Sequence, residues 1–130
     1  MPSNNTVKIE KFAENHFIDG FARKHKDHWE VTLDAVKESL GRIEMLLITS
    51  KATMVCEANN VQIIKVEFRV DGTKESAKTS GNRCIVAWHK EEQKVCVLLV
   101  YGKTDIPTRR ETAAWTKLVK SNYPQYDEML

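Results

Sequence analysis

Polar and apolar residues alternate from Val61 to Val70. Ile64, Val66, Phe68 and Val70 fall on one side and Ile63, Lys65, Glu67 and Arg69 on the other, which is the period of a strand with one face in the core and one in water. A second strand is expected from Arg83 to His89, a turn at Lys90 to Lys94, and a third strand from Val95 to Tyr101. That third strand is apolar on both faces, so it belongs in the middle of a sheet and is covered on each side. The segment 71–81 between the first two strands is polar, rich in small residues and carries Lys74 and Lys78, the composition of a long loop.

Around this sheet the pattern predicts helices and two further strands. Thr6 to Phe12 alternates Val7, Ile9 and Lys11 against Lys8, Glu10 and Phe12, as a short first strand would. From Glu14 to Asp27 the residues Phe17, Ile18, Phe21 and Ala22 recur at helical spacing. From His28 to Leu47 a broader apolar stripe of Trp29, Leu33, Val36, Leu40, Ile43, Leu46 and Leu47 predicts a second helix, and the short break between the two predicts a hairpin lying across the sheet. Thr53 to Glu57 with the turn signal Ala58-Asn59-Asn60 predicts a hairpin into Val61. A closing helix over Thr108 to Ser121 carries Ala114, Trp115, Leu118 and Val119 on one face, with Pro124 after its end. The expected class is therefore α+β: an N-terminal strand and helical hairpin packed on a small, mainly antiparallel sheet, with a C-terminal helix.

At 130 residues the chain is expected to form one domain, 1–130, that hides roughly 65 to 70% of its unfolded surface. A net charge of +2 permits nucleic-acid binding without arguing for it, so the distribution of charge carries that case. No apolar run approaches the ~18 residues of a membrane span and Met-Pro-Ser-Asn-Asn lacks a signal-peptide core, so a cytoplasmic location without membrane contact is expected. Cys56, Cys84 and Cys96 have no C-x-x-C spacing and read as reduced, buried residues. His25 and His28 are three apart, but no Cys or carboxylate cluster at zinc spacing accompanies them, so neither a metal nor a cofactor is expected. Nucleotide-binding glycine loops and the serine-hydrolase G-x-S-x-G are absent from the sequence.

The candidate chemistry is a set of cations: Lys65, Arg69, Lys74, Lys78, Arg83, Lys103, Arg109 and Arg110, with His89 and Tyr101 on or near the same sheet. Cations gathered on a concave sheet face suit a phosphodiester backbone, and an arginine fork engages phosphate oxygens in pairs. The alternative is a solvated face whose cations pair with Glu67, Glu75, Asp105 and Glu111. His89 closes a strand and is either a general acid or base or a surface histidine.

Ile64-Lys-Val-Glu-Phe-Arg69, then Ser80-Gly-Asn-Arg83-Cys-Ile-Val, then Val97-Leu-Leu-Val-Tyr-Gly-Lys103 and Pro107-Thr-Arg-Arg-Glu111-Thr-Ala-Ala114, in this order, resemble the RelE/ParE toxin superfamily, in particular its RelE and HigB branches. The resemblance covers most of the chain in element order and about forty residues in motif. It implies a toxin of a toxin-antitoxin pair: a ribosome-dependent mRNA endoribonuclease in which a ribose 2′-hydroxyl attacks the adjacent phosphate, with no metal required and a cognate antitoxin protein as partner. By the same resemblance Arg83 matches the G-x-R arginine at the scissile phosphate, Lys65 and Arg69 match basic positions on the preceding strand, and Lys103 matches the basic position after the last strand. Lys74, Lys78, His89, Arg109 and Arg110 would then serve RNA binding. Glu67 stands where some ribosome-dependent members have a second lysine, and Thr104 where they can have an arginine. The alternatives are a ParE-like gyrase inhibitor and an inactive interaction module of the same fold.

Overall fold

The structure is a computed structural model that describes residues 5–70, 81–102 and 110–130, apart from the side chains of His16 and Phe17. Strand β1 (Thr6–Ile9) leads into a helical run made of α1 (Lys11–Ala13), a π-helical turn (Glu14–Ile18) and α2 (Asp19–Lys24), followed by α3 (Trp29–Gly41) and α4 (Ile43–Leu46). Strands β2 (Ala52–Ala58), β3 (Val61–Glu67), β4 (Arg83–His89) and β5 (Lys94–Tyr101) follow, then α5 (Glu111–Asn122) and a 3-10 segment (Pro124–Met129). One five-stranded sheet has the order β1-β5-β4-β3-β2, with β1 parallel to β5 and every other pair antiparallel. The expected α+β architecture is the one observed, including the N-terminal strand and C-terminal helix.

Local chemistry accounts for the turns and the irregularities. Asn59 and Asn60 both take left-handed backbone conformations, φ 51° and 66°, which a two-residue hairpin between β2 and β3 demands and asparagine tolerates. In β5 the register slips between Ile85 and Val86 of its partner, leaving Leu98 as the extra residue, and both Leu98 and Leu99 then pack in the core cluster that contains Trp115.

The helical hairpin covers one sheet face. Ile64, Val66, Phe68, Cys84, Val86, Trp88, Val95, Val97 and Val100 pack there with Ile18, Phe21, Trp29, Leu40 and Ile43. Phe21 stacks on Trp29 at 4.8 Å between ring centroids, and Phe68 tilts against both at 5.9 and 6.2 Å.

The opposite face corrects the expectation that β3 is wet on its second side. Ile63, Ile85, Ala87, Cys96, Leu98, Leu99 and Tyr101 form a second buried cluster with Trp115, Val119, Tyr123 and Tyr126. Among the described residues water reaches this face toward the far end of β3, where Lys65 and Glu67 are half-buried. The physical reason is the C-terminal cover: α5 and the 3-10 segment bring aromatic side chains onto β4 and β5, and Tyr123 Oη donates to the Leu98 carbonyl at 2.7 Å.

Three boundaries also differ from the periodicity. The first strand ends at Ile9 and a helix starts at Lys11, which turns Phe12 toward the edge of Tyr123 at 6.1 Å. The expected continuous helix from His28 to Leu47 breaks at Arg42, whose φ and ψ are −114° and 47°. There the Gly41 carbonyl, which would accept from Met45 in an unbroken helix, instead accepts from the Asn5 backbone N–H at 2.8 Å and Asn5 Nδ2 at 3.2 Å. Met45 N–H falls back on the Arg42 carbonyl at 2.9 Å. The 3-10 segment after Pro124 was not signalled by periodicity at all.

Candidate functional site

Strand register builds the site before any side chain is considered. Glu67 of β3 is paired with Arg83 of β4, and Arg83 with Tyr101 of β5, so three strands contribute one residue each to a row at one end of the sheet. The row lies on the side covered by α5, because Arg83 alternates in phase with Ile85 and Ala87. Glu111, in the first turn of α5, reaches down onto the same row.

The four side chains form one connected group. Arg83 Nη2 is 3.7 Å from Glu67 Oε1 and Arg83 Nε is 3.9 Å from Glu111 Oε1, while Nη1 donates to the Asn82 carbonyl at 2.9 Å. Tyr101 Oη donates to Glu111 Oε1 at 2.8 Å. The two ion-pair distances exceed the 2.7–3.2 Å of a formed N–H···O bond, so charge rather than hydrogen bonding holds Glu67 and Glu111 beside the guanidinium. Arg83 keeps only 12% of its side-chain exposure, Glu67 15% and Glu111 26%, so screening by water is weak. Burial, and next the hydrogen bond to Glu111, push the Tyr101 phenol well above its ordinary pKa and keep it a neutral donor.

The remaining candidates divide between this end of the sheet and other places. Lys65 lies two residues from Glu67 on the same face of β3, about 7 Å along the strand, and is half-buried. Arg110 is exposed and directly precedes Glu111. Arg69 is exposed too, but with Lys51, Thr32 and Ser39 it lines an open groove against α3. His89 is six positions from Arg83 along β4, about 20 Å at ~3.3 Å per residue, and does not join the row. Its Nε2 is 2.8 Å from Tyr126 Oη and its Nδ1 3.8 Å from Glu92. Lys74, Lys78, Lys103, Thr104 and Arg109 lie outside the described residues.

Part of each sequence reading survives. Among the described residues Lys65, Arg69, Arg83 and Arg110 do not form one open face, and Arg83 pairs with Glu67 and Glu111 as the alternative reading had it. Yet that pairing occurs in a largely buried cluster, whereas the alternative placed it on a solvated surface. The sequence named Glu67 and Glu111 as partners of the cations but gave no sign that Tyr101 joins them, because its hydrogen bond to Glu111 depends on the position of α5. Among the described residues no group of three or more His, Cys, Asp or Glu side chains is placed to hold a metal ion. His25 stacks at 6.3 Å on Phe21, and burial, then Lys24 and His28, hold its pKa below the usual value.

The chain matches no protein-family model, no curated protein and no solved structure. Among the described residues no helix is long and apolar enough to cross a membrane.

Proposed function

We propose that this protein is a cytoplasmic RelE/HigB-like toxin, an endoribonuclease that cuts mRNA on the ribosome and is neutralised by a cognate antitoxin protein. The observation that carries the reading is the row of carboxylate, guanidinium and phenol across β3, β4 and β5, at the position where the resemblance puts the phosphate-binding arginine. In phosphodiester cleavage by a 2′-hydroxyl the O2′–P bond forms as the P–O5′ bond breaks and water protonates the departing 5′-oxygen; the protein has to supply a group that takes the hydroxyl proton, positive charge where the phosphorane gains negative charge, and fixed geometry. Glu67 is the acceptor beside Arg83, Arg83 is the positive charge, and strand pairing supplies the geometry. Lys65 adds a second cation on the same face, and Lys103 and Arg69 are carried by the resemblance. The chemistry so built calls for no cofactor.

The test is inducible expression in a bacterial host, with growth and mRNA 5′ ends followed together for the wild type and for Arg83→Ala and Arg83→Lys. Growth arrest with new 5′ ends inside translated codons, abolished by Arg83→Ala, is the expected result. Arrest that persists in Arg83→Ala removes Arg83 from the mechanism, and intact mRNA with DNA damage redirects the reading to gyrase inhibition. A second reading rests on one specific observation: Arg83 stands between two carboxylates, which suits an interaction module whose arginine is structural. Normal growth and intact mRNA in wild type and variants alike would favour that module.

A further inference from the structure

The proposed phosphate-binding arginine has an unfavourable neighbourhood for its task. Two carboxylates face one guanidinium, so the described cluster carries one negative charge in excess, inside a region that water screens poorly. Glu67 has a role in the proposed chemistry; Glu111 has none, and it comes from a different element, the first turn of α5. A carboxylate is favoured there by the helix N-terminus, and Tyr101 Oη fixes its Oε1 at 2.8 Å. From that anchored position Oε1 also lies 3.9 Å from Arg83 Nε. The bond to Tyr101 is formed while the contact to Arg83 is long, so the second can yield without the first.

We propose that Glu111 is an intramolecular competitor for Arg83: it occupies, with charge, part of the space around the guanidinium that a phosphate group takes, and so sets how tightly the site binds anions. This rests on the proposed function for its physiological ligand, a phosphodiester, while the competition itself concerns any phosphate oxygen. When a phosphate arrives, the Arg83–Glu111 pair opens and Glu111 stays on Tyr101. Glu111 is thus a positioning residue that tunes Arg83 through charge and touches no reacting atom. The arrangement also couples the site to the docking of α5, since the helix carries the competitor in with its first turn.

Glu111→Gln separates the two roles of this side chain. It keeps an acceptor for Tyr101 Oη and removes the charge beside Arg83. The full-length wild type, Glu111→Gln, Arg83→Ala and the Glu111→Gln/Arg83→Ala double variant are compared in two assays. The first is thermal stabilisation by inorganic phosphate; the second is fluorescence-anisotropy binding of a single-stranded RNA oligonucleotide, with RNA cleavage followed on mRNA bound to translating ribosomes. Removing one like charge a few ångströms from the bound anion is expected to tighten phosphate binding roughly three- to tenfold in Glu111→Gln. The double variant is expected to lose that gain. A gain of affinity is not what a merely structural loss produces, and a steeper salt dependence of binding should accompany it.

Phosphate binding that is equal in wild type and Glu111→Gln, or a gain that survives in the double variant, overturns the competitor. RNA results decide the separate question: phosphate binding enhanced by Glu111→Gln without any RNA cleavage supports the competitor and rejects the nuclease. RNA cleavage that requires Arg83, together with phosphate binding no tighter in Glu111→Gln than in wild type, keeps the nuclease and rejects the competitor.

Discussion

Asn5 is the residue through which the N-terminal strand, the helical hairpin and the sheet are tied together, and its removal has a calculable effect. Its side chain is buried, its Oδ1 accepts from Trp88 Nε1 at 3.1 Å, and its Nδ2 donates to the Gly41 carbonyl and to Glu44 at 3.2 Å each. Asn5→Ala leaves the Trp88 indole N–H buried without an acceptor, which costs about 1–3 kcal/mol. The Gly41 carbonyl keeps its bond from the Asn5 backbone, so losing the two Nδ2 bonds adds only about 1 kcal/mol. The expected total is about 2–4 kcal/mol, a large share of the 5–15 kcal/mol that holds a typical domain folded. Urea unfolding measures it, as a midpoint lowered by on the order of 1–2 M with unchanged slope. A Trp88→Phe background removes the stranded donor, so there the same substitution should cost about 1–2 kcal/mol less. A loss below about 1 kcal/mol, or an identical loss in both backgrounds, would refute the hydrogen-bond argument.

Two further outcomes are expected. Arg83→Ala leaves Glu67 and Glu111 facing each other without their shared counter-charge and should destabilise the domain by about 1–3 kcal/mol, with part of the loss recovered by adding Glu67→Gln; thermal melts that coincide with wild type would show that the cluster contributes nothing to folding. Burial pushes the Cys84 thiol up to about 12, so at pH 8 its thiolate is scarce and shielded, and alkylation mapped by mass spectrometry should label the half-buried Cys56 first and Cys84 only as the chain unfolds. Equal labelling rates for the two would contradict the burial of β4.

The strands were legible because their pattern is local. Val61–Glu67, Arg83–His89 and the apolar run ending at Tyr101 fall within a few residues of where alternation puts them. The run from Val95 to Tyr101, apolar on both sides, already implied a cover on the second face, but Lys65, Glu67 and Arg69 on β3 argued for water there. Both are true of different regions, since the cover lies over β4 and β5 and thins out toward the end of β3. The helix break at Arg42 was not legible, because its cause is a bond from Asn5, 36 residues earlier. The site was half legible for the same reason. Arg83 stands out by its position before an apolar strand, whereas its pairing with Glu111 depends on how α5 returns to the sheet.

The parallel pairing of β1 with β5 governs how the chain comes to be folded as it is made. Thr6 aligns with Lys94, so β1 waits for a partner about 90 residues later, roughly 5–20 s at ordinary translation rates. Until β5 emerges, the helical hairpin and the β2–β3 and β4 strands lack an interior strand that contributes to both cores. Contacts this distant in sequence slow folding, and they make it close to all-or-none with respect to chain length. Arg83 is synthesised before Tyr101 and Glu111, so the row they form exists only once synthesis has passed Glu111. A truncated product ending before β5 would therefore carry neither a finished sheet nor the assembled row, and a nascent chain would lack that row until Glu111 had been added.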